Sequence, residues 1–219
     1  MKLKLFFVLM SVLFFDFSFS QTQINFDNKD NLNYINFSFG YGYSFLYKNP
    51  VIFHQYFEGV KKVTQNPNLS FVIELSFLKS LRKNFLKFGL QYSSKNITES
   101  GKSWTGRAPD YYENYSRIES HDYLGVFIGF RKPIGKNIFL DNDFIIEKKI
   151  DDKNNYFLSR YGLSDRIKLG YKVKLYKKFN LEFNGFFSSA IIKYNIKKFN
   201  KNYFPYQYGL EVSTQVELF

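Results

Sequence analysis

Ser120, His121 and Asp122 bring together the three residue types that hydrolytic chemistry uses, a nucleophile, a base and an orienting acid. That chemistry needs the three side chains within hydrogen-bond reach of one another. Here they are consecutive, and in an extended segment consecutive side chains point to opposite faces, so neither neighbour serves His121. The other histidine, His54, lies in an apolar run over residues 51–57 that Glu58 closes. The chain has no cysteine, which excludes disulfides and thiolate metal sites. No metal-ligand spacing and no glycine-rich phosphate loop occurs. These residues predict no enzyme, no cofactor and no metal.

The elements around them carry a stronger signal. Ile35, Phe37, Phe39, Tyr41, Tyr43 and Phe45 alternate with Asn36, Ser38, Gly40, Gly42 and Ser44, the period of two that a strand with one apolar face requires. Seven more segments repeat it. Their apolar faces are Phe71 to Phe77, Leu86 to Tyr92, Leu124 to Phe130, Ile138 to Ile146 (broken by Asn142), Ile167 to Leu175, Leu181 with Phe183, and Tyr208 to Leu218. The connections alternate in length. Residues 81–85, 134–138 and 176–180 read as tight hairpin turns, whereas residues 47–69, 94–117, 148–165 and 190–205 read as long polar loops.

This rhythm predicts an all-β fold, an eight-stranded antiparallel up-and-down transmembrane β-barrel with three short periplasmic turns and four long extracellular loops. A soluble secreted sandwich has no need of such regular asymmetry. The mean hydropathy of −0.31 fits a barrel, because only every second strand residue meets lipid. The aromatic content of 21% fits interfacial girdles of Tyr and Phe. Residues 1–20 are set apart as a cleaved signal peptide: Lys2 and Lys4, an apolar stretch too short to span a bilayer, then Ser18-Phe19-Ser20 before a mature start at Gln21. Residues 21–219 form the barrel domain.

Eight strands leave an interior that side chains fill, which argues against an open pore. The inward phase carries Glu74, Lys87, Asp141, Asp143, Glu147, Lys168, Lys172, Glu182 and Glu211, of both signs. Buried charges must pair or stay hydrated. Lys172 and Glu182 stand at similar distances from the third tight turn, so they are expected to pair across that hairpin inside the lumen. Inward glycines at 40, 42, 89, 125, 129 and 170 give larger side chains room.

The net charge of +12 suggests nucleic acid in a cytoplasmic protein, and export removes that reading. Cations of the short turns are expected to be simply solvated. The fourth long loop carries Lys193, Lys197, Lys198 and Lys201 without a nearby acid, placed to meet lipopolysaccharide phosphates. The second mixes Trp104, Tyr111, Tyr112 and Tyr115 with Arg107, Asp110 and Glu113, a platform for a sugar or protein partner, or aromatics that pack within the loop or rest on the membrane interface. Asn96-Ile97-Thr98 matches a glycosylation sequon by chance in a bacterial setting.

In Leu86-Lys87-Phe88-Gly89-Leu90-Gln91-Tyr92-Ser93-Ser94-Lys95, Tyr123-Leu124-Gly125-Val126-Phe127-Ile128-Gly129-Phe130 and Ile167-Lys168-Leu169-Gly170-Tyr171, the chain resembles the small outer-membrane barrels of the Bacteroidota, the PorT-like proteins, and is similar in architecture to OmpX and the OmpA barrel. The resemblance implies a monomer in the bacterial outer membrane, in contact with its lipids and lipopolysaccharide. The terminal Phe219 is typical of barrels delivered by the outer-membrane assembly machinery, which is the implied partner in biogenesis. Some barrels of this size deacylate or acylate lipid A, but the His-x-Ser spacing of the deacylases is absent, since Asp122 and Tyr123 follow His121. The expected role is structural or interactive. A small transport or secretion accessory is the first alternative and a lipid-A-modifying enzyme the second.

Overall fold

The computed structural model describes residues 33–46, 60–104, 112–150, 161–191, 194–196, 201–203 and 205–218. The expected signal peptide, Phe219, the run containing His54, and Arg107, Tyr111, Lys193, Lys197 and Lys198 lie outside the described residues.

Ten strands occur among the described residues: β1 (Asn33–Leu46), β2 (Val60–Leu81), β3 (Asn84–Trp104), β4 (Tyr112–Pro133), β5 (Ile138–Lys149), β6 (Tyr161–Tyr176), β7 (Phe179–Ala190), β8 (Tyr194–Ile196), β9 (Lys201–Tyr203) and β10 (Pro205–Glu217). Eight of them close an antiparallel barrel in the order β1-β10-β7-β6-β5-β4-β3-β2. Each barrel strand therefore pairs with the barrel strands before and after it in sequence, and the first closes on the last, β1 on β10. The loop expected over residues 190–205 contains a small separate hairpin, β8 with β9.

The alternation sorts side chains by chemistry. Ile35, Phe37, Phe39, Tyr41 and Tyr43 face outward and are exposed, while Asn36, Ser38 and Ser44 face inward and are buried. The same holds on the other barrel strands. Leu210 on β10 is 74% exposed, whereas Glu182 on the adjacent β7 is 0% exposed. The outside is apolar and the inside charged.

Lumen packing depends on glycines placed beneath aromatics. A Cβ at Gly170 would stand 2.2 Å from the Phe139 ring, and one at Gly40 would stand 3.3 Å from Phe186. The closing seam depends on backbone approach instead. Gly42 on β1 faces Gly209 on β10, and a Cβ at Gly42 would lie 2.1 Å from the Tyr208 carbonyl oxygen. Only glycine permits that contact.

At the end opposite the short turns, β2, β3 and β4 do not stop with the barrel. Residues 60–67, 97–104 and 112–119 continue as a three-stranded ribbon, with Ile97 opposite Pro67 and Glu119 and with Trp104 opposite Tyr112. Eight residues at ~3.3 Å each carry it roughly 25 Å beyond the rim. The long loop expected over residues 94–117 is thereby corrected: Trp104, Tyr112 and Tyr115 are strand residues. Strand continues here through polar sequence where hydrophobic alternation is weak.

A bulge in β2 between Pro67 and Phe71 marks the departure point. Its side chains pin it. Asn68 Nδ2 donates to Thr98 Oγ1 at 3.0 Å, the Asn96 amide donates to Ser70 Oγ at 2.9 Å, and Asn96 Nδ2 donates to the Leu69 carbonyl at 2.6 Å. The sequon residues Asn96 and Thr98 thus hold the base of the ribbon.

Candidate functional site: a ring of ion pairs across the lumen

The largest concentration of polar chemistry lies in the middle of the barrel. Arg131 on β4 grips two carboxylates at once. Its Nε and Nη2 donate to Asp141 at 2.8 and 3.0 Å, and its Nη1 and Nη2 donate to Glu182 at 2.5 and 3.0 Å. The guanidinium lies 3.7 Å from the centre of the Phe139 ring. A planar fork stacked on an aromatic and bound bidentately at both edges is geometry that arginine supplies and lysine does not.

From Asp141 the network runs on without a gap. Lys87 Nζ donates to Asp141 at 3.2 Å and to Asp143 at 2.9 Å. Asp143 accepts from Arg166 Nη2 at 3.0 Å; Arg166 also pairs with Glu74 and donates to Gln91 at 2.9 Å. Lys168 joins Glu74 at 2.7 Å to Glu211 at 2.7 Å.

Neutral groups then close the circuit. Asn184 Nδ2 donates to Glu211 at 3.2 Å and to Ser213 Oγ at 3.1 Å, and Ser213 Oγ donates to Glu182 at 3.2 Å. Asn36 on β1 adds a donor to Glu182 at 3.1 Å. Every one of the eight barrel strands contributes to this ring. Its charged members are all at most 4% exposed. Ions so buried are tolerable only when each carboxylate has its cation and its remaining lone pairs find donors.

The expected pair of Lys172 and Glu182 keeps its register and changes its cation. The two residues stand directly opposite across β6 and β7, but the Glu182 carboxylate is held by Arg131, Asn36 and Ser213. Arg131 wins because its fork spans two acids, whereas Lys172 sits half-buried nearer the barrel end. Neither Arg131 nor Arg166 stood among the expected lumen charges. Their signal was present: Arg131 extends the inward phase of Phe127 and Gly129 by one step, and Arg166 stands two residues before Lys168, in the same phase.

A second, smaller cluster lies toward the ribbon. Lys95 pairs with Glu147, and its ammonium lies 4.5 Å from the Tyr123 ring centre. His121 is fully buried and stands opposite Lys95. Ser120 points the other way and shares a hydrogen bond with Ser94 at 3.1 Å. Ser120 and His121 are therefore not brought together as a nucleophile and base. Lys201 lies in β9.

No family model matches the chain, and no curated protein does. Among solved structures, the chain is similar to Neisserial surface protein A (NspA), with 10% identity, a TM-score of 0.48, and 85% of this chain and 97% of that one covered. It is also similar to the outer membrane protease OmpT from Escherichia coli, with 10% identity, a TM-score of 0.35, and 91% and 100% covered. Neither likeness, at these values, bears on the activity of this chain.

Proposed function

We propose that the chain is an integral outer-membrane β-barrel, monomeric and closed to solutes, with a structural or surface-interaction role and no chemistry of its own. One observation carries this reading: a belt of exposed Phe, Leu, Ile, Val and Tyr encircles a barrel whose interior is charged. An apolar surface of that extent is unstable in water and suits hydrocarbon. The ion-pair ring spans the lumen from strand to strand, which speaks against a solute conduit. An exported, PorT-like outer-membrane protein delivered by the assembly machinery is the finer form of the proposal.

In this reading the short turns face the periplasm and the ribbon faces outward. Lys193, Lys197, Lys198 and Lys201 then meet lipopolysaccharide phosphates, and the stretch with Trp104, Arg107, Tyr111, Tyr112 and Tyr115 meets a glycan or a surface protein. Trypsin added to intact Gram-negative cells expressing the protein tests it. Cleavage after Arg107 and within residues 193–201, with Lys136 and Lys177 protected until the membrane is opened, is the expected pattern. Cleavage at Lys136 and Lys177 in intact cells reverses the orientation, and a soluble protein released with the periplasm rejects the membrane reading.

A further inference from the structure

The short-turn end of the barrel carries a collar of cations outside the lumen ring. Arg82, Lys136, Lys177 and Lys178 occupy the three turns and are exposed. Lys79 and Lys132 belong to the strands, each one step of the outward face beyond an apolar residue, Phe77 and Phe130 respectively. Beyond the level of Asp141 and Glu182, Glu217 is the one acidic side chain of this end among the described residues. Exposed Leu81, Ile134, Ile138 and Leu175 lie beside these cations. The apolar belt therefore ends in positive charge.

We infer that this collar binds the phosphodiester headgroups of anionic glycerophospholipids in the leaflet on the side of the short turns. The inference rests on the proposed membrane-barrel reading and adds to it a lipid preference. Two strand residues span about 7 Å, so Lys79 and Lys132 place their ammonium groups at the depth where hydrocarbon gives way to headgroups. Their aliphatic stems lie along the apolar belt while the charges reach the phosphates. The turn cations add to the same potential from just outside, and Glu217, the one acid of this end among the described residues, is outnumbered by them. A merely solvated face does not require cations on the outward strand phase at the edge of the belt.

Electron spin resonance of the refolded full chain in phosphatidylcholine vesicles tests this, with spin-labelled phosphatidylglycerol or phosphatidylcholine as probe. The wild-type protein is expected to hold the phosphatidylglycerol probe about fivefold more strongly, the worth of roughly one cation at an anionic surface. The variant with Lys79→Gln, Arg82→Gln, Lys132→Gln, Lys136→Gln, Lys177→Gln and Lys178→Gln should hold both probes alike, while Lys193→Gln with Lys197→Gln, Lys198→Gln and Lys201→Gln should keep the preference. If the first variant does not fold, loss of the wild-type preference as salt rises from about 0.05 to about 0.5 M supplies the same reading, since screening shortens the reach of charge. Equal holding of both probes by the wild type, or a preference lost only with the second variant, overturns the inference. A chain that restricts no lipid probe and shows no folded band on a gel overturns the membrane reading itself, which is a distinguishable result.

Discussion

Arg131 holds Asp141 and Glu182 together in a place where neither carboxylate reaches water. Removing one partner of a buried ion pair leaves the other charge uncompensated, which costs about 3–5 kcal/mol. Arg131→Ala is therefore expected to lower the urea midpoint of unfolding in lipid or detergent by that order, with two acids left behind. Arg131→Lys should recover part of the loss, because an ammonium reaches one acid and loses the bidentate fork. Equal stability of all three proteins would remove Arg131 from the centre of the ring. At this scale the sequence was legible in kind and not in pairing. Alternation marked Asp141, Asp143, Lys168 and Glu182 as inward, but which cation meets which acid depends on strand stagger across the lumen. That stagger gives Glu182 to Arg131, from three strands away around the barrel, rather than to Lys172 on the adjacent strand.

Strands were legible where one face must be apolar, and their ends were hidden where that demand stops. β1, β6 and β10 carry clean alternation, while residues 97–104 and 112–119 continue as strand with mixed polar sequence. Backbone pairing runs through the ribbon, which Asn68, Ser70 and Asn96 anchor at the β2 bulge. Asn96→Ala removes a side chain that donates to the Leu69 carbonyl, a hydrogen bond of about 1 kcal/mol. Limited proteolysis of the folded variant should cut faster within residues 97–104, with the barrel fragment unchanged. Unaltered cleavage would show that the bulge does not depend on this anchor. The seam makes a sharper demand. Gly42→Val would drive a side chain into the Tyr208 carbonyl, so the variant is expected to refold with much reduced yield, measured as the fraction of folded band, whereas Gly185→Ala, where a Cβ meets nothing within 4 Å, should refold normally. Inward glycines were readable as spacers from their phase. That Gly42 faces Gly209 was not, because the first and last strands meet only when the barrel closes.

Taken as a whole, the molecule reverses the usual partition of side chains. Buried Lys87, Lys168 and Glu74 occupy the centre, and exposed Leu210, Ile146 and Leu169 form the surface. In the proposed reading hydrocarbon covers this belt, since the closed sheet pairs its strands edge to edge and most of the outward side chains are apolar or aromatic. The rhythm of long and short connections made this architecture legible from sequence, and the closure of β1 on β10 agrees with it. The role of the long connections was not legible, since recognition depends on side-chain placement that alternation does not encode. The central claim, a closed barrel folded in a membrane, is tested most directly by gel mobility. Protein from outer-membrane fractions, run unboiled, should migrate faster than the boiled chain because the intact barrel stays compact in detergent. Identical mobility of boiled and unboiled samples, with the protein recovered in the soluble fraction, would contradict the account.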